Sequence, residues 1–182
     1  MVASVALAFE PNPPTWDTTR VFEIKSGDKS AQAKIDAVLA ENGGHIPAWN
    51  GQWSNSRYAF LFETGSHDLN MELGYYTTVH GLGRTPADTY LANLMVQNGD
   101  FDMTGGALAN FWRSAENVRT QPASGTPMLW AVSQASPLRR IQVDGDLQVF
   151  QYNCCNPGAG YASGGFMADM QVSGAFVPGS QQ

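Results

Sequence analysis

From Tyr58 onward the chain is a succession of short apolar runs closed by glycine, asparagine or polar turns: "RYAFLFETG", "LNMELGYYTTVHGLG", "YLANLMVQNG", "MLWAVSQ", "RRIQVDGDLQVFQ" and "GFMADMQVSG". Runs of this kind, rich in aromatic and β-branched residues and punctuated by turn formers, read as strands. Three share a cadence of valine, a polar residue and glycine: Val79-His80-Gly81, Val143-Asp144-Gly145 and Val172-Ser173-Gly174. Val118 holds a similar place without the glycine, and two of the three intervals in this series fall between about 20 and 30 residues, the length of one turn of a β-solenoid. A solenoid stacks each turn on the last and buries an inward row of apolar side chains. The expectation is therefore an all-β solenoid, with a β-sandwich as the alternative that fits the same short strands.

One segment before these runs follows a different period. "DKSAQAKIDAVLAENGG" offers Asp28 or Ser30 as a cap, places Ala31, Ile35, Val38 and Leu39 on one face and has Gly43 just past its end, which predicts a single amphipathic helix of about three turns. The stretch "GALANFWRSAENVRT", Gly106 to Thr120, fits helix and strand templates about equally. Its place in the series, with Val118 at the recurring position, favours a strand. Alternation then puts Phe111 and Trp112 on opposite faces.

Charge narrows the function classes. Only 14% of residues are charged, all three lysines lie before residue 35, and after Arg140 the only charges are Asp144, Asp146 and Asp169. A net charge of −6, with Arg139-Arg140 the only adjacent basic pair, argues against nucleic acid as a partner, since phosphate binding needs a basic surface. No apolar run approaches the roughly 20 residues of a membrane-spanning helix. The opening "MVASVALAF" reads equally as a trimmed signal-peptide remnant or a first strand. Cys154 and Cys155 are adjacent, so they can form no long-range staple; a structural loop is expected, with a strained vicinal disulfide open. "HGLGRTP" lacks the third glycine of a dinucleotide fingerprint and the lysine of a phosphate loop. Neither a metal nor a cofactor is expected.

The segments "RYAFLFETGSHDLNMELGYYTTVHGLGRTPADT", "ANFWRSAENVRT", "MLWAVSQASPLRRIQVDGDLQVF" and "YASGGFMADMQVSGAFVPGSQQ" resemble secreted pectate-lyase-like proteins of bacteria and fungi. Some of that group are described as coagulation factor 5/8 type (discoidin) domain proteins, and the group is distantly similar to β-1,3-glucanases of glycoside hydrolase family 55. The resemblance implies a right-handed parallel β-helix with one N-terminal α-helix. It divides the chain into an N-terminal segment over residues 1–30 and a β-helix domain over 31–182 that is incomplete at its C-terminus. It further implies a secreted or extracytoplasmic location and a polysaccharide partner.

Glycoside hydrolysis by the usual route needs two carboxyl groups, which successive turns of a β-helix can supply at equivalent positions. Asp144, Asp146, Asp169 and Glu116 are the candidates, although Asp144-Gly145-Asp146 also reads as a plain turn. Sugar rings stack on exposed aromatics, so Trp112, Trp130 and Tyr161 are candidate substrate contacts, with Arg113 as a clamp. Trp49 and Trp53 lie on a polar loop and could join them. Lyase chemistry, which would draw on Arg139 and Arg140 near Asp144 and Asp146, ranks below hydrolysis. The competing expectation is a non-catalytic subunit that docks an open solenoid end against another protein, suggested by the near-absence of charge after Phe150.

Overall fold

Every strand pairing among the described residues is parallel. The computed structural model describes residues 15–43, 51–97, 110–151, 160, 162 and 165–179. Expectations for the N-terminal "MVASVALAF", Trp49, Cys154, Cys155 and Tyr161 lie outside them. β1 (Val21–Ile24) leads into α1 (Ala31–Asn42), followed by β2 (Tyr58–Phe62), β3 (Gly65–Glu72), β4 (Thr77–Gly81), a 3₁₀ turn over Pro86–Asp88 and β5 (Thr89–Met95). Then come β6 (Arg113–Thr120), β7 (Met128–Leu129), β8 (Pro137–Val143), β9 (Leu147–Gln148), β10 (Phe166–Ala168), β11 (Gln171–Val172) and β12 (Phe176–Val177).

The strands stack as rungs in two sheets. One runs β1-β2-β4-β6-β5-β3, with β8 on β6 and β10 and β11 on β8; the other is β12-β9-β7. Because sandwich sheets are antiparallel, the all-parallel ladder excludes the sandwich alternative. β1 pairs in register with β2, Phe22 opposite Phe60, so the sheet begins ahead of the boundary expected at residue 31.

In-register stacking turns single apolar positions into columns. Phe60, Val79, Ala115 and Leu138 face inward on consecutive rungs, each at most 1% exposed, and Met167 continues the row. A second column runs Leu91, Thr120, Val143 and Val172, and a third Met128, Leu147 and Phe176. The valine cadence holds for only one pair: Val143 faces Val172, whereas Val79 faces Ala115 and Val118 faces Ile141. Loops of unequal length between rungs shift the period, so a fixed sequence interval does not find the partner.

What bends the strands into rungs is a set of left-handed corners. Tyr76, Trp112 and Ala135 have φ of 53°, 53° and 55° and lie at matching places just ahead of β4, β6 and β8, tied by the Tyr76 N–H to Trp112 carbonyl bond of 2.6 Å. Asn117, Arg140 and Asp169, with φ of 59°, 51° and 54°, form a second such column. A non-glycine residue pays roughly 1–2 kcal/mol for this conformation, and stacking lets each corner template the next. Asn117 is fastened as well: its side-chain amide donates to the carbonyls of Gly81 at 2.8 Å and Gly83 at 2.7 Å. Trp112 is thus a corner and not a pleated residue. Both Phe111 and Trp112 are half-buried with ring centroids 5.4 Å apart, which replaces the expected opposite-face arrangement.

Helix α1 closes the free edge of β3. Its buried face holds Ala31, Ile35 and Val38 of the four positions the period predicts; Leu39 is half-buried, and Asn42 takes the last buried place. Gln32 accepts from the Asn70 N–H at 2.9 Å and donates to the Asn70 carbonyl at 3.1 Å, satisfying backbone groups that an edge strand would leave open.

Gly81 sits where a Cβ would collide with the carbonyl of Asn117. Gly81→Ala is expected to cost about 2 kcal/mol or more, while Ala135→Gly at its exposed left-handed corner is expected to stabilise by about 0.5–1 kcal/mol. Urea midpoints of the two variants check both signs.

Candidate functional site

The outward face of the β4, β6 and β8 sheet carries two of the four predicted carboxylates, Glu116 and Asp169. His80, Glu116, Arg139 and Ala168 are register partners on consecutive rungs. Arg139 lies between two acids: its Nη1 is 2.9 Å from Glu116 and its Nε 3.6 Å from Asp169. Side-chain exposures of 54% for Arg139, 34% for Glu116 and 64% for Asp169 leave this ladder open to solvent. Arg113, three residues before Glu116 on the same strand, is not part of this ladder.

Asp144 and Asp146 serve the frame. Asp144 pairs with Arg119 and accepts from the Gln142 amide at 2.9 Å. The Gln142 hydrogen bond, with Arg119 beside it, holds the Asp144 carboxyl below its ordinary value of 3.8 against a smaller opposing effect of burial. Asp146 accepts the Ala175 N–H at 2.7 Å and so ties its turn to the next rung. The structure brings Glu116 and Asp169 together through Arg139 but leaves Asp144 and Asp146 out of that group.

Two of the predicted substrate contacts are interior. Trp130 is 1% exposed, bridges Val96 on the preceding rung and donates its indole N–H to the Ser136 carbonyl at 3.1 Å, so it is core. Arg113 is 2% exposed because it follows Tyr58 and Thr77 in an inward column. Its guanidinium donates to Leu73 at 2.7 Å and Phe111 at 3.0 Å and lies 4.7 Å over the Tyr75 ring. Burial pushes it down to about 10. Alternation along β6 decides this: Arg113, Ala115 and one face point in, while Ser114 and Glu116 point out.

Trp112 instead belongs to an aromatic group at the corner. Its ring stacks on Tyr76 at 5.1 Å and 8°, and Trp53 meets it edge-on at 5.3 Å and 62°. Arg57 lies 3.5 Å over the Tyr76 ring. Trp53 is 77% exposed. Neither Tyr76 nor Arg57 stands out in the sequence, because Tyr76 reaches Trp112 only through rung stacking. The one signal available was the concentration of tryptophan on the polar loop before Tyr58.

A groove of about 690 Å³ runs along the other wall, lined by Leu69, Asn70, Asn93, Met95, Leu129 and Gln148 among others. Asn93 donates to Asn70 across the rungs at 2.6 Å. None of the four predicted carboxylates lines it. Among the described residues no cluster of three or more metal-ligating side chains occurs.

Stacked parallel rungs with an outward charged ladder define the chain as a stretch of parallel-β wall. Compared with known proteins, it is homologous over most of its length to an exo-beta-1,3-glucanase of Streptomyces sp. (strain SirexAA-E / ActE), 42% identical over 164 residues, 89% of this chain and 24% of that protein. The structure of sacteLam55A from Streptomyces sp. SirexAA-E superimposes with a TM-score of 0.75 at 38% identity, covering 90% of this chain and 28% of that one. A variant of sacteLam55A refined in complex with glucose matches equally well, with a TM-score of 0.75. The chain thus spans about a quarter of the length of the curated relative it matches. No protein-family model matches it, and nothing supports the discoidin description.

Because the folded Asp144 carboxyl is lowered, its contribution to stability is complete above its unfolded value of 3.8 and is lost as pH falls through the folded value. Asp144→Asn is expected to flatten the acid limb of stability below about pH 4 relative to the parent. Urea midpoints between about pH 5 and pH 3 measure it, and an unchanged acid slope would remove Asp144 from the frame.

Proposed function

We propose that this chain forms the wall of a right-handed parallel β-helix that acts on extracellular β-1,3-glucan. The observation that carries the reading is the 42% identity to an exo-beta-1,3-glucanase over 89% of the chain. The all-parallel rung stack supports the β-helix part. A secreted or extracytoplasmic location follows from the substrate, a polymer too large to be taken in whole.

In this reading Glu116 and Asp169 are the carboxyl pair. Their backbones stand two rungs apart, about 9.6 Å at roughly 4.8 Å per rung, and their common contact with the Arg139 guanidinium draws the carboxyl groups closer than that, toward the roughly 6.5–9.5 Å that leaves room for a water in an inverting hydrolase. One carboxyl would protonate the glycosidic oxygen while the other activates the water. Arg139 now fills the gap between them and has to give way to the sugar. Asp144 and Asp146, both held by frame contacts, take no part.

Reducing-sugar release from a soluble β-1,3-glucan is expected, falling by about 10²–10⁴ in Glu116→Gln and in Asp169→Asn while Asp36→Asn on the exposed face of α1 retains it. Full activity in both variants would place the reacting carboxyls elsewhere. No release by the parent chain would limit its own role to binding.

A second reading, an interaction subunit, is favoured by one surface. Phe166, Met167 and Phe176 are 60%, 37% and 48% exposed on the last described rung, although Met167 and Phe176 extend columns whose previous members, Leu138 and Leu147, are buried. Another protein's parallel strands would cover them. Light scattering at high concentration tests it: self-association that Phe176→Ser abolishes is expected, and a monomer throughout counts against it.

A further inference from the structure

We infer that Trp53 and Trp112, backed by Tyr76, form a stacking platform for the pyranose rings of a neutral β-glucan, set apart from the carboxyl pair. The inference rests on the glucan reading above and deepens it by naming the surface that would grip the polymer. Trp112 precedes Glu116 by four residues along the rung, about 13 Å at roughly 3.3 Å per residue. A chain lying across the sheet would therefore meet the aromatics and the ladder at different sugar units.

Trp53 is the residue that packing does not explain. Leaving an indole 77% exposed forfeits most of its burial energy, whereas Trp130 in the same fold is 1% exposed. Its surroundings are nonetheless fixed. Arg57, stacked 3.5 Å over Tyr76, donates to the carbonyls of Ser54 at 2.8 Å and Ser56 at 3.0 Å, and the Tyr76 hydroxyl donates to the Gln52 carbonyl at 2.9 Å. Asn42, 0% exposed at the end of α1, donates to Ser56 at 3.2 Å and Tyr75 at 3.0 Å and accepts from the Ser54 hydroxyl at 3.1 Å. The loop that carries Trp53 is thus tied on both sides before any ligand arrives. Such preorganisation lowers the entropy lost on binding.

The shape and charge select the occupant. Tyr76, with Arg57 over its ring and Trp112 stacked on it at 8°, backs the group, and Trp53 stands at 62° to Trp112, so the two indoles present ring surface in two planes to a polymer with apolar faces and polar edges. Nucleic-acid bases also stack on such rings, but a net charge of −6 repels their phosphates. A neutral glycan pays no such penalty.

Titration of the chain with a soluble β-1,3-glucan, followed by calorimetry and tryptophan fluorescence, tests the platform. Trp53→Ala is expected to weaken binding at least tenfold, Trp53→Phe to keep most of it, and Leu82→Ala, an exposed apolar residue beyond the far end of β4, to leave it unchanged. Circular dichroism of Trp53→Ala checks that the fold is intact. If the parent binds the glucan and Trp53→Ala binds equally well, the platform is wrong while the glucan reading stands. If the parent neither binds nor cleaves any β-glucan offered, both fall.

Discussion

Everything in this molecule depends on rungs that stack in register. A parallel ladder places like upon like, so a residue facing inward on one rung has an inward neighbour above and below it. The columns Phe60-Val79-Ala115-Leu138 and Met128-Leu147 are the result, and they supply the apolar burial that stabilises the stack. The left-handed corners at Tyr76, Trp112 and Ala135, and at Asn117, Arg140 and Asp169, are the cost of turning between walls. Each corner is unfavourable alone and tolerable in a column, because the hydrogen bonds of the neighbouring rung determine it in advance.

The polar groups divide by depth. Asn42 and Asn117 are buried and act as fasteners, each joining two backbone carbonyls through its side-chain amide. Arg113 is a buried cation held by two carbonyls and an aromatic face. The exposed ladder of Glu116, Arg139 and Asp169 contributes little to stability, since solvent-exposed ion pairs are worth at most about 1 kcal/mol. An arrangement of charges that does so little for the fold is available for chemistry, and this, with the glucanase homology, directs attention to it.

In the proposed reading two surfaces bear on a polysaccharide in different ways. The ladder offers carboxyl groups one rung apart from a shared guanidinium, whereas the corner offers aromatic rings whose backbone geometry is dictated by the stack. Trp112 and Tyr76 are placed by their left-handed φ as much as by their packing, which couples the proposed ligand surface to the device that shapes the fold.

By itself the sequence determined the element types: one helix with Ile35 and Val38 inward, short strands after Tyr58 and glycine at the turns. It did so because periodicity and turn chemistry are local. It also contained the resemblance that pointed to β-1,3-glucanases, carried by ordered motifs along the chain. Which strand lies on which, and hence that Val79 meets Ala115 and not Val118, was decided by loops of unequal length that only the stacked structure resolves. The same limit applies to the site. Trp112 and Trp130 look alike in sequence, and Arg113 and Arg139 both sit in β runs, yet corner geometry and strand alternation send Trp130 and Arg113 into the core and leave Trp112 and Arg139 at the surface. Burial depends on the rung above and the rung below, and neither neighbour is adjacent in the chain.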